Sequence, residues 1–132
     1  MNEPKKLIDT PSQTAGPFLH IGCTPRITGI NIFKSELGLT PFQDISDNEA
    51  INIKGKIYDG NGEPIIDAMI ETWQCDANGK YSSNQGFARI VTDFKTGEYQ
   101  LKTIRPGNKI NTDGSLSASY ITFWIVARGM NR

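Results

Sequence analysis

The sequence predicts a mainly β protein: an antiparallel β-sandwich with an irregular N-terminal arm, expected to be incomplete at its C-terminus. Three observations carry that expectation. From Ile51 onward, apolar and polar residues alternate in short runs, the period of strands with one buried face. The runs are separated by Asp-Gly, Asn-Gly and Pro-Gly dipeptides, which close tight turns. The chain also holds 13 glycines and 7 prolines in 132 residues, a composition that works against long helices.

Residues 1–50 read as an extended arm with loops, because Pro4, Pro11, Pro17, Pro25 and Pro41 interrupt any regular period. One short helical turn is expected near Ile45–Ala50. Ile51, Ile53 and Ile57 then alternate with Asn52, Lys54 and Lys56 as a first strand, closed by the turn Asp59-Gly-Asn-Gly62. Pro64 opens the next segment, in which Ala68, Ile70 and Thr72 share one face and Met69, Glu71 and Trp73 the other. Asp76-Ala-Asn-Gly79 turns the chain again. Phe87–Thr92 is a third strand, Lys95-Thr-Gly97 a turn, and Tyr99, Leu101 and Thr103 alternate in a fourth. Pro106-Gly107 and Asp113-Gly114 bound a polar loop. Tyr120–Ala127 is nearly continuously apolar, which predicts a central strand buried on both faces. Such a strand needs neighbours on both sides, and the chain stops at Arg132. A partner chain or further C-terminal strands are therefore expected to supply them.

Charge and size narrow the function classes. Lys plus Arg and Asp plus Glu each total 14, so neither a basic nucleic-acid stripe nor an acidic tail is expected. No apolar run approaches the roughly 20 residues of a membrane helix. The charged start Met1-Asn-Glu-Pro-Lys-Lys6 leads into no apolar segment, so no secretion signal is expected and a cytoplasmic location is. Cys23 and Cys75 lack metal spacing; free thiols in a reducing compartment are favoured over a disulfide.

Three stretches resemble the intradiol ring-cleaving dioxygenases, and within them the α-type subunits of protocatechuate 3,4-dioxygenases. They are Thr10-Pro-Ser-Gln-Thr-Ala-Gly-Pro-Phe18 with Ile21-Gly22; Gly55-Lys-Ile-Tyr-Asp-Gly-Asn-Gly62 with Ile70-Glu-Thr-Trp-Gln-Cys-Asp-Ala-Asn-Gly-Lys-Tyr81; and Thr103-Ile-Arg-Pro-Gly107 with Trp124-Ile-Val-Ala-Arg-Gly129. The resemblance implies a β-sandwich, here with residues 1–50 as arm and 51–132 as a partial sandwich of intradiol dioxygenase type. It implies insertion of both atoms of O₂ into the ring of a catechol, giving 3-carboxy-cis,cis-muconate from protocatechuate. It implies a non-haem Fe(III) held by two tyrosines and two histidines, since a hard ferric ion favours anionic oxygen donors.

Position by position, the resemblance leaves little of that ligand set. Tyr81 matches the first family tyrosine. After Pro106-Gly107 stand Asn108, Lys109 and Ile110, with no second tyrosine. Tyr120 and Thr122 stand where the family has its two histidines, and the one histidine, His20, lies in the arm. Tyr81 is therefore expected to be a vestigial metal position, and Fe(III) is expected on an iron-bearing β-type partner. The same resemblance places Thr14, Gly16, Pro17 and Arg128 along the substrate pocket. There Gly16 would allow close approach, Pro17 a rigid wall, and Arg128 a pair with the substrate carboxylate. Family α subunits continue past the Ala127-Arg-Gly129 segment, so a shortened chain is expected. Two other readings remain open: a prealbumin-like β-sandwich binding module, supported by the Gly55–Gly62 turn, and a non-functional truncated remnant.

Overall fold

A computed structural model describes residues 14–16, 18–34 and 38–131 of the chain. Among these, β1 (Ala50–Lys56) and β4 (Glu98–Ile104) form one two-stranded antiparallel sheet. A second sheet has the order β3-β2-β7-β8, built from β2 (Met69–Trp73), β3 (Phe87–Val91), β7 (Thr122–Ala127) and β8 (Met130–Asn131). A small hairpin pairs β5 (Lys109–Ile110) with β6 (Leu116–Ser117). Every pairing among the described residues is antiparallel, as expected for a sandwich, and their helical content is one short α-helix and one 3₁₀ turn.

The alternating pattern explains which faces meet. Ile70 lies between Ile90 and Ile125 in register, and Thr72 lies between Ala88 and Phe123. This face packs on Leu101 and Ile53 of the other sheet, which are themselves opposite each other. Ile70, Ala88 and Leu101 are fully buried, and burying each of the two larger side chains contributes about 2 kcal/mol. Tyr99 and Phe123 meet across the sandwich at 6.1 Å between ring centroids. One polar atom in this core has no partner: the Thr72 hydroxyl, on a residue only 1% exposed. Thr72→Val keeps the shape and removes the desolvated hydroxyl, so it is expected to raise stability by about 1 kcal/mol in urea denaturation; a loss of that size would mean that the hydroxyl has a partner.

The turns share one device. Asp59 Oδ1 accepts from the N–H groups of Asn61 and Glu63, and Asp76 Oδ1 from those of Asn78 and Lys80. Asp93 Oδ1 accepts from Thr96 and Lys95, and these bonds hold its carboxyl below the ordinary value. Side-chain oxygens thus satisfy turn amides that the strands leave unpaired.

Residues near Ile45–Ala50 form the expected single helical turn, in which Ser46 O accepts from the Glu49 and Ala50 amides. Other expectations need correction. The α-helix is α1 (Leu19–Cys23), followed by a 3₁₀ turn at Pro25–Thr28. The polar loop after Pro106 contains the β5–β6 hairpin. The last long strand has paired neighbours on both edges, β2 and β8, but it is not buried on both faces: Trp124 is 54% exposed. The arm covers part of the outer face of that sheet, where Arg89 donates to the Cys23 carbonyl and Phe87 lies beside Gly38, and Trp73, Phe87 and Trp124 stay more than a third exposed. Cys23 and Cys75 are free thiols. No helix of the described residues is long and apolar enough to cross a membrane.

The arm is tied to the sandwich at defined points. The Arg89 guanidinium pairs with Glu71 at 2.6 Å and also donates to the Cys23 carbonyl at 3.3 Å. His20 reaches the Asp67 carbonyl at 2.9 Å, and the Gly129 amide donates to Thr14 Oγ1. Thr10–Gln13 and Pro17, which belong to the N-terminal motif, lie outside the described residues.

Candidate functional site

The second and third family-like stretches meet at one junction. Past the end of β2, Gln74 is buried and bridges the two sheets: its Oε1 accepts from Thr103 Oγ1 at 2.7 Å and its Nε2 donates to the Ile104 carbonyl at 3.0 Å. The loops that follow lie backbone against backbone. The Gly107 amide donates to Asp76 O at 2.8 Å, and Cys75 Sγ donates to Gly107 O at 3.4 Å. The Trp-Gln and Arg-Pro-Gly signatures thus have a structural meaning here: they fix the two loops that carry Tyr81 and Asn108.

Tyr81 stacks on Trp73, with centroids 5.9 Å apart and planes at 21°. The Lys109 ammonium lies 5.8 Å from the Tyr81 ring centroid. A hydrogen bond to Tyr120, then burial, then the neighbouring Tyr120 and Cys75, push the Tyr81 phenol up from 10.0 to about 12. A hydrogen bond that raises an acid's pKa is one that favours its neutral form. The fold therefore does bring together two of the family's ligand positions, but as a phenol pair. Asn108 accepts a hydrogen bond from Ser119 at 2.8 Å, and Thr122 lies opposite Trp73 on β7. His20 is engaged by Thr24 and Asp67.

This donor set does not fit Fe(III). The ferric ion favours anionic oxygen donors and, in the family, imidazoles. Here the hydrogen bond to Tyr120 and burial disfavour the phenolate at the matching tyrosine, a lysine cation adjoins its ring, no tyrosine follows Pro106-Gly107, and Thr122 offers a hydroxyl. Among the described residues no group of three or more His, Cys, Asp or Glu converges as a metal site. Tyr120→Phe is expected to bring the Tyr81 phenol back down toward 10, read from tyrosinate absorbance in an alkaline titration. An unchanged titration would mean that the two hydroxyls do not interact.

Three of the pocket residues expected from the sequence gather elsewhere. Gly16 and Arg128 line a cavity of about 500 Å³ together with Leu19, His20, Asp67 and Phe94. Thr14 is joined to the same region through Gly129, the residue after Arg128. Residues 14–16 and 127–129 are thus brought together from opposite ends of the chain. Pro17 lies outside the described residues. Gly16 is not required by packing, because a Cβ there would meet nothing within 4 Å; the space beside it is open.

Sequence reasoning missed Asp67 and the role of His20. Asp67 Oδ2 binds Arg128 Nε and Nη2, both at 2.7 Å. His20 Nε2–H donates to the Asp67 carbonyl, Nδ1 lies 3.1 Å from Thr24 Oγ1, and the ring meets Phe94 edge-on at 5.7 Å. His20 is thus a satisfied structural histidine. A lone Asp between two strands carries no pattern in sequence, and only the fold reveals its partner.

Residues 34–123 match a protein family described as Dioxygenase. The chain is 37% identical over 132 residues to the protocatechuate 3,4-dioxygenase alpha chain of Pseudomonas putida, and 31% identical over 134 residues to that of Burkholderia cepacia. These alignments cover 95% and 94% of this chain, and it spans 66% of the length of each relative. A beta chain from Burkholderia cepacia is 31% identical over 71 residues, covering 45% of this chain and 30% of its own. Among solved structures, catechol 1,2-dioxygenase from Pseudomonas arvilla C-1 superposes with a TM-score of 0.60 at 20% identity, over 68% of this chain and 35% of that one. The fold is accordingly the β-sandwich of these enzymes. The family match across more than half of the sequence, together with the antiparallel sandwich and the junction built by its Trp-Gln and Arg-Pro-Gly segments, shows that this chain belongs to the intradiol dioxygenase family.

Proposed function

We propose that the chain is an α-type, non-catalytic subunit of a cytoplasmic protocatechuate 3,4-dioxygenase. In this reading an iron-bearing β-type partner cleaves protocatechuate with O₂ to 3-carboxy-cis,cis-muconate, and this chain completes the substrate pocket. One observation carries the reading. Along a chain aligned over 95% of its length with a protein named as an alpha chain, the positions matching the family's metal ligands hold Tyr81, Tyr120 and Thr122, with no tyrosine after Pro106-Gly107 and no histidine. Catalysis by the assembly then needs a companion that supplies the metal.

The cavity supports the substrate side of the proposal. Its volume is in the range of small-ligand sites, Leu19 and Phe94 give it apolar wall, and the Arg128 guanidinium suits the carboxylate that separates protocatechuate from catechol. Thr14, Gly16, Pro17 and Arg128 are the residues we assign to that pocket. The binding-module alternative draws on the Gly55–Gly62 turn, which here is an Asp59-stapled turn of a kind that any β-sandwich can use.

Co-expression with an iron-bearing β-type chain tests the proposal. The two chains should co-elute, and protocatechuate should drive oxygen uptake that requires both. No complex between them, or full activity of the β-type chain without this one, would overturn it.

A further inference from the structure

We propose that Asp67 is a positioning residue: it selects the edge of the Arg128 guanidinium that faces the cavity, and so tunes the cavity for small aromatic ligands bearing a carboxylate. The inference rests on the reading of Arg128 as a substrate-side residue.

A guanidinium can grip a carboxylate along two edges, Nε with one Nη, or the two Nη nitrogens together. Asp67 Oδ2 occupies the first edge, taking both Nε and Nη2 at 2.7 Å. The end-on edge has no partner among the described residues. The Arg128 side chain is 81% exposed and lines the cavity, so this edge is open to a ligand.

Asp67 is itself held. Its side chain is only 25% exposed. Its carbonyl accepts from His20 Nε2, which fixes the residue just before β2 against α1. On the other side, Thr14 pins the turn that carries Arg128 through the Gly129 amide. The carboxylate is thus the anchored member of the pair and the arginine the adjustable one. A long arginine side chain free in water loses rotamer entropy on binding, and one already oriented loses less.

The pairing also changes what is selected. Asp67 offsets part of the charge on Arg128, and solvent screens the rest, so the cavity has little long-range pull on anions in general. Recognition falls to the planar two-point geometry of a carboxylate, and chloride is expected to compete poorly. Leu19 and Phe94 favour an apolar, aromatic body behind that carboxylate.

The chain itself, 132 residues long, allows a direct test by nuclear magnetic resonance at the Arg128 Nε–H. Titration with 3,4-dihydroxybenzoate should shift this signal to saturation. Catechol at the same concentrations should not, and chloride should not reverse the shift. Asp67→Asn should weaken 3,4-dihydroxybenzoate binding about tenfold while leaving the melting temperature nearly unchanged, and Asp67→Glu should recover part of the loss. A wild-type response that persists at full affinity in Asp67→Asn would overturn the positioning role and leave the pocket reading standing. No response of Arg128 to the carboxylate ligand in the unaltered chain would overturn the pocket reading, and this inference with it. A measurement on the unaltered chain covers a variant that fails to fold. The Arg128 Nε–H should exchange with water about tenfold more slowly than that of the exposed Arg105, as a pinned donor does. Equal rates would contradict the proposal.

Discussion

Gly79→Ala is expected to lower stability by about 3 kcal/mol, and Gly107→Ala by a similar amount. Gly79 has φ +78, and a Cβ built there would lie 2.1 Å from the Asn108 carbonyl oxygen. At Gly107 the added atom would lie 2.3 Å from Ala77 O and 2.6 Å from Gly79 N. These neighbours are backbone, not the ends of flexible side chains, so the two loops must move apart. Their separation would break the Gly107–Asp76 hydrogen bond and displace Tyr81 and Asn108 together. A small domain has about 5–15 kcal/mol of stability in all, so either change should move the urea midpoint far down. Wild-type midpoints would show that the loops are not in backbone contact.

Gln74→Leu is expected to cost a similar amount, about 3 kcal/mol. Leucine nearly fills the same volume. It leaves Thr103 Oγ1 and the Ile104 carbonyl without the partners they now have at 2.7 and 3.0 Å. Thr103 is fully buried, so water cannot replace the glutamine. Adding Thr103→Val removes one of the two orphaned groups, and the double variant should regain about 1 kcal/mol over Gln74→Leu alone. Strict additivity of the two losses would contradict the bridge.

The long strands were legible because their residues obey one local rule. Alternation at Ile51–Ile57, closed by Asp59-Gly-Asn-Gly62, and at Tyr99–Thr103, bounded by Lys95-Thr-Gly97 and Pro106-Gly107, needs no tertiary information. Helix α1 obeys no such rule. Its N-cap residue is Phe18 with no side-chain cap, it runs five residues, and it includes Gly22; contacts such as His20 to Asp67 hold it in place. The exposure of Trp124 was illegible for a related reason. An apolar run shows that a strand can be buried on both faces, but not whether the chain provides a cover for each. At the site, Thr14, Gly16 and Arg128 came from family-like motifs; Gly16 and Arg128 line one cavity, and Thr14 bonds the Gly129 amide beside it. Asp67 could not be found that way, because its partner is 61 positions distant. Tyr81 and Tyr120 were visible as two phenols at ligand positions; their proximity needed three dimensions.

Adding ferric iron to the purified chain, without any companion, addresses the central claim most directly. The raised Tyr81 phenol, the adjoining Lys109 ammonium and the lack of imidazole at the metal positions predict no phenolate-to-iron charge-transfer band and no oxygen uptake with protocatechuate. Tight binding of one ferric ion per chain, with that band and with ring cleavage by the chain alone, would contradict it.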